Sequence, residues 1–198
     1  MKLWQIIVAI AALAAVAYFA FPQQVSSVAK IVPTMAGPEN TMLADFDAAH
    51  GQDFIWYNDT NNSFAFKYPI GYSINLQPDE VTYLRLSAFN PYGISETFDV
   101  LLLDSPYTQA DFEDNAAKFP ASDSGMRLEL LSKKAAQING RTAYVFYVNQ
   151  TYGTDEPVFV ESAVVNCDGY AADLISHVPL SALPDRAVAE YMIGSFRC

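Results

Sequence analysis

Residues 138–178 read Ile-Asn-Gly-Arg-Thr-Ala-Tyr-Val-Phe-Tyr-Val-Asn (138–149), a polar loop over 150–157, Val-Phe-Val-Glu-Ser-Ala-Val-Val-Asn-Cys (158–167), Asp168-Gly169, and Tyr-Ala-Ala-Asp-Leu-Ile-Ser-His-Val (170–178). Asn139-Gly140 and Asp168-Gly169 accept positive φ at both central positions of a tight turn, and each sits between β-branched and aromatic runs. Each therefore predicts a hairpin, and together they predict a meander. Strand 141–149 places Ala143, Val145 and Tyr147 on one face and Tyr144, Phe146 and Val148 on the other. Both faces are apolar, so both must be covered, and the sheet is expected to form a middle layer.

Outward from that stretch the chain divides into three. Leu3–Phe21 is apolar except for Gln5 and carries no charge, and as a helix it would span about 28 Å, the thickness of a bilayer core. Residues 1–21 are thus expected to be a transmembrane anchor or a signal. Tyr18, Phe19 and Phe21 directly after the small-x-small run Ala15-Val16-Ala17 favour an uncleaved anchor. Lys2 before the segment, against Lys30 alone shortly after it, gives a bias toward an inside N-terminus. The domain is then expected outside the cytoplasm, attached to the membrane through this helix. Residues 22–62, broken by Pro22, Pro33, Gly37 and Pro38, read as a linker with one short helix over 40–50 that Gly51 ends. Residues 63–198 read as one domain, and a chain lacking 1–62 is expected to fold by itself.

Within the domain, Phe64, Phe66 and Tyr68 alternate before a bend at Pro69 and Gly71, giving an edge hairpin. Strands follow over 81–89 and 97–103, the second ending in Val-Leu-Leu-Leu. Thr108-Gln-Ala-Asp111 is a capping-box-like helix start, with Phe112, Ala116 and Phe119 at helical spacing and Pro120 as its stop. Met126–Ile138 returns to strand, and Pro184 suits the first position of a last helix carrying Val188, Tyr191, Met192 and Ser195 on one stripe. The order of elements predicts an α+β fold, a three-layer α/β/α sandwich around a central antiparallel sheet.

The pattern Phe64-x-Phe66-x-Tyr68-Pro69-x-Gly71-Tyr72, then Ile138-Asn139-Gly140-Arg141-x-Ala143, then a C-terminal Gly194-Ser195-Phe196, resembles the PsbP/Mog1-like group of domains. That group contains the photosystem II extrinsic protein PsbP, the Ran-binding protein Mog1 and secreted or anchored prokaryotic relatives. The resemblance spans roughly 63–197 and rests on structural motifs. It implies an α/β/α sandwich around an antiparallel sheet; no residue that contacts photosystem II or Ran is matched.

Net charge is −11, which argues against a nucleic-acid surface, since that needs clustered Lys and Arg. No catalytic residue, cofactor or metal site is assigned. Asp45, Asp47, His50 and Asp53 lie within nine positions, but their spacing is wrong for an EF-hand loop, and an acidic solvated helix accounts for them. His177 shares a strand face with Asp173 about 13 Å away, too far for a direct hydrogen bond, and is expected half-exposed at a strand end. Asp111, Glu113 and Asp114 sit in the first turns of a helix, where acids suit the dipole. Asn58, Asn61 and Asn149 each begin an Asn-x-Ser/Thr sequon. Cys167 and Cys198 are expected to form a disulfide. A two-residue turn at 168–169 sets Val165 opposite Ala172 and Ala163 opposite Leu174 on one apolar side, while Val164 faces Asp173 and Val160 faces His177 on the other. The final helix should bed on the first side, and its return path ends near Cys167. The function expected is a membrane-anchored, extracytoplasmic, non-catalytic binding or accessory module meeting an unidentified protein or cell-surface partner, through the sheet-and-helix surface or the 150–157 loop. The alternative is a small-ligand carrier or hydrolase with a pocket between sheet and helix lined by Tyr144 and Tyr147.

Overall fold

The computed structural model describes residues 46–89, 95–123, 125–155, 157–179 and 186–198. The expected membrane segment and most of the expected linker lie outside these residues; among the described residues no helix is long and apolar enough to cross a membrane.

Antiparallel strands dominate the fold. They are β1 (Phe54–Asp59), β2 (Phe64–Pro69), β3 (Ser73–Leu76), β4 (Leu84–Phe89), β5 (Ser95–Leu103), β6 (Ala121–Asp123), β7 (Met126–Ile138), β8 (Arg141–Tyr152), β9 (Val158–Asn166) and β10 (Ala171–Pro179). Among the described residues, α1 (Gln109–Ala116) and α2 (Arg186–Ser195) are the longer helices beside them. Eight strands form one sheet in the order β3-β4-β5-β10-β9-β8-β7-β6, while β1 and β2 pair as a separate ribbon.

The meander follows the sequence closely. Ile138 pairs with Arg141 across Asn139-Gly140, whose φ values of 47° and 80° are those of a type I′ turn. At Asp168-Gly169 only Gly169 has positive φ, 89°, so this second turn is of another type, yet it holds the expected register. Val165 lies opposite Ala172, Ala163 opposite Leu174, Val164 opposite Asp173 and Val160 opposite His177. A register shift between Leu130 and Ser132 interrupts β7, and Leu131 stands exposed there.

Both faces of the central strands β8, β9 and β10 are buried, as the two apolar faces of β8 require. Ala143, Val145 and Tyr147 belong to a core shared with Phe64 and Phe66 of the ribbon, with Met192 and Ile193 of α2, and with Phe196. Tyr144, Phe146 and Val148 belong to a second core under α1, closed by Phe112, Ala116 and Tyr107. The layers are thus a helix, the sheet, and a mixed layer of helix and ribbon. The expected capping box opens α1: Asp111 N–H donates to the Thr108 hydroxyl, and the Asp111 carboxylate accepts from Thr108 N–H. The helix ends at Ala116, four residues before Pro120, and Phe119 packs against the same core.

One part of the linker reading changes. Residues 46–50 form a helical turn ending in a 3₁₀ turn at Gly51–Asp53, and 54–59, expected as linker, are β1. The 64–76 segment consequently does not close on itself as an edge hairpin, because β2 pairs with β1 and β3 pairs with β4. The ribbon stays folded because Asp59 is an acceptor hub: its carboxylate accepts from Asn61 N–H at 3.0 Å, Asn62 N–H at 2.8 Å, and the Tyr57 and Tyr83 hydroxyls. Those bonds hold the Asp59 carboxyl below its usual range against the opposing effect of burial. On its other edge β2 bridges Ala65 to Arg197, binding the C-terminus to the ribbon.

Candidate functional site

β9 and β10 are central strands, and on the α1 face their alternation is apolar except at Ser162, Asp173 and His177 and at Asn166, the last residue of β9. Asp173 is 3% exposed and lies on β10 between Leu101 of β5 and Val164 of β9. The Ser162 hydroxyl donates to its Oδ1 at 2.7 Å. Burial pushes the Asp173 carboxyl up to about 6, with the Ser162 hydrogen bond opposing. An acid in a packed apolar face costs stability unless something receives it. Here the carboxyl lines a cavity of about 60 Å³ between α1 and the sheet. Phe146, Val148, Val160 and Val164 form the apolar walls, and Tyr107, Asn115, Lys118 and Phe119 come from α1 and its flanks.

The α1 side of the cavity is set by local hydrogen bonds. Tyr107 N–H donates to the Asn166 side-chain oxygen at 2.7 Å, and Asn166 Nδ2 donates back to the Tyr107 carbonyl at 2.8 Å, clamping the segment before α1 to the end of β9. The Tyr107 hydroxyl donates to the Asp111 carbonyl and accepts from Asn115 Nδ2. Lys118 Nζ donates to Asn115 Oδ1 at 3.0 Å. The hydrogen-bonding groups of the roof are thus engaged with one another.

Further along the same face, toward β4, lies a buried polar row. Arg85 on β4 donates to Asp99 on β5 at 2.7 and 3.3 Å, and Asp99 is fully buried. Burial pushes the Asp99 carboxyl up to about 6, and the Arg85 guanidinium works against it. His177 Nδ1 lies 3.2 Å from the Thr97 hydroxyl. Expected half-exposed, His177 is instead buried, at 8%, because β5 covers its strand on one side and β9 on the other. Burial, then the Arg85 charge, push the imidazole down to about 4, so it is neutral at pH 7.

Cys167 and Cys198 form a disulfide with Cα atoms 5.6 Å apart. Arg141 supports it, donating to both Asp168 oxygens at 2.6 and 3.0 Å and to the Cys198 carbonyl at 2.9 Å. The sequons fall in different settings: Asn58 is exposed on β1, Asn61 is exposed in the turn after it, and Asn149 is half-buried within β8 with its Oδ1 enclosed. Asp47 is engaged by Lys67 Nζ at 2.6 Å and by the Tyr191 hydroxyl, while His50 lies 3.8 Å from Asp53. Asp45 lies outside the described residues, among which no metal-holding cluster occurs. Tyr144 and Tyr147 do not share a pocket, since they point to opposite faces of β8. Gln150–Tyr152 belong to β8, so the expected 150–157 loop is correspondingly shorter.

Sequence alternation puts Asp173 on the α1 face but assigns it no role. A signal is nonetheless present: an acid at the period-two position shared by Ala171 and Ile175, in a strand expected between two others.

An antiparallel sheet carrying one helix on one face, and a helix with a ribbon on the other, defines a PsbP-like fold. Cyanobacterial PsbP (CyanoP) from Synechocystis sp. PCC 6803 superposes with a TM-score of 0.60 at 17% identity, over 73% of this chain and 92% of that one. A protein of unknown function from Pseudomonas aeruginosa aligns over 67% of this chain and 88% of its own, at 14% identity and a TM-score of 0.41. No protein-family model and no curated protein matches the chain.

Proposed function

We propose that this chain is an extrinsic, non-catalytic binding or accessory module, held on the outer side of a membrane by its N-terminal apolar segment. The observation that carries this reading is the PsbP-like fold. Its support comes from Leu3–Phe21, long enough to span a bilayer core, and from a disulfide, which persists in oxidising compartments outside the cytoplasm. The protein partner docks on the ribbon. There Trp56 is 40% exposed with the Arg197 guanidinium 4.0 Å from its ring centre and Lys67 Nζ at 5.7 Å, and exposed aromatic and arginine side chains are what interfaces enrich. Protease added to intact spheroplasts tests the arrangement. The domain from Phe46 onward should be digested, and a chain lacking 1–21 should leave the membrane fraction. Protection of the domain, or retention of the shortened chain in the membrane, overturns it. The cavity under α1 favours a second reading, a carrier of a small ligand.

A further inference from the structure

We propose that the cavity between α1 and the sheet binds a small organic ammonium ion, its alkyl body against Val160 and Val164 and its charged head on the Asp173 carboxylate. The inference rests on the carrier reading of this cavity and is independent of membrane attachment. Three observations carry it.

The first is the state of Asp173. It is 97% enclosed by the protein, yet among the described residues only Ser162 hydrogen-bonds to it, through Oδ1. Asp173 lines the cavity, and its Oδ2 accepts no hydrogen bond from the described residues. A buried carboxylate is ordinarily paired with a cation or saturated with donors. Asp99, two strand positions along the same face, shows the ordinary solution, with Arg85 bonded to both of its oxygens. Asp173 has no such partner: none of the ion pairs of the described residues includes it.

The second is the chemistry of the lining. Lys118 is the one cation among the cavity residues, and its ammonium is turned to Asn115 Oδ1 at 3.0 Å. The Tyr107 hydroxyl, another donor of the lining, is committed to the Asp111 carbonyl. Apart from Asn115 and from Ser162, whose hydroxyl is given to Asp173, the remaining walls are aliphatic or aromatic, so a ligand here meets mostly apolar surface on its body and one carboxylate at its end. That is the complement of a protonated alkylamine; an anion would meet the carboxylate with like charge, and a wholly apolar ligand would leave it desolvated and unpaired.

The third is size. A cavity of about 150 Å³ holds one benzene and a water needs about 10–15 Å³, so the 60 Å³ here fits a body of roughly two to six non-hydrogen atoms. The α1 flank at Asn115, Lys118 and Phe119 forms part of the boundary, and a longer ligand would emerge there.

The test is methyl NMR of the full chain in phosphatidylcholine nanodiscs, titrated with n-butylammonium chloride and, separately, with its neutral counterpart n-butanol. Saturable shifts of the Val160, Val164 and Leu128 methyls by butylammonium, with a dissociation constant at or below about 10 mM, are expected. Butanol should bind at least about tenfold more weakly. Asp173→Asn, which keeps the side-chain shape, should weaken butylammonium by at least about tenfold and leave butanol unchanged. Moving from pH 7.5 to pH 5 should weaken butylammonium in the parent as Asp173 takes a proton, while butylammonium itself stays charged. No saturable shift at these methyls, equal binding of butanol and butylammonium, or an unaltered constant in Asp173→Asn would each overturn the proposal. The butanol comparison needs no variant, so it decides even where the substitution disturbs folding.

Discussion

Glu161 sits on β9 beside Tyr147, near the beginning of α2, only 4% exposed and with its Oε2 accepting no hydrogen bond. Burial, and then the charge of Glu190, push its carboxyl from an ordinary 4.5 up to about 7, with Arg186 and Lys134 pulling the other way. The folded protein therefore holds this proton more tightly than the unfolded chain. The resulting stabilisation is complete below about pH 4.5 and is lost as pH rises through about 7. Glu161→Gln should remove that dependence: at pH 8 the variant should be more stable than the parent by roughly 2–3 kcal/mol, and at pH 4.5 nearly equal to it. Urea unfolding at the two pH values measures the difference, and parallel curves at both would show that Glu161 titrates normally. His177 acts with the opposite sign, since its depressed imidazole costs stability as pH falls from 6.5 through about 4. That contribution is common to both proteins and cancels in the comparison.

The ribbon is the element whose removal tells most. β1 lies along β2 from Phe54–Pro69 to Asp59–Phe64, and Phe54, edge-on, and Phe46, tilted, pack around Tyr191 of α2 at 4.7 and 5.0 Å. A chain beginning at Phe46 should unfold cooperatively. One beginning at Ser63 loses the β1 ladder and Asp59, uncovers Phe64 and Phe66, and should be destabilised by at least about 3 kcal/mol, a cost typical of uncovering large core side chains. Thermal melts of the two truncations decide it, and matching midpoints would restore the linker reading of 54–59. The physical reason this strand escaped the sequence is plain in its burial: Ile55 and Trp56 are 43% and 40% exposed while Asp59 is 7% exposed, the reverse of what side-chain type suggests. Its hold on the fold comes from tyrosine hydroxyls at positions 57 and 83, and no local pattern announces such a partner. The meander was legible because its information is local: two turn dipeptides, period-two alternation and the small residues Ala163 and Ala172. Ser162 and Asp173 lie between these extremes. Their strand and face were readable, but the space above them depends on where α1 ends, and that end came earlier than Pro120 suggested.

At the scale of the molecule, the disulfide joins the sheet to the segment after α2. Closing a loop across a sequence separation of 31 should contribute roughly 3–4 kcal/mol in the chain-entropy description. Cys198→Ser should lose that stability, and reductant should lower the parent to the same midpoint without changing the variant; an unchanged midpoint in the variant would overturn the assignment. The sheet itself has a seam. β5 and β10 pair from Thr97–His177 to Leu103–Ala171, residues 68 to 80 positions apart, whereas the hairpins on either side join near neighbours. Pairing at such separation is slow relative to hairpin formation. Until the seam closes, one half of the sheet ends in an open β5 and the other in an open β10, each complementary to the missing half. Two chains refolding at high concentration can therefore trade first halves, β1 to β5 of one completing β10 of the other, with each of these pairings kept. The strand order thus contains the template for a domain-swapped dimer whose hinge is the segment bearing α1.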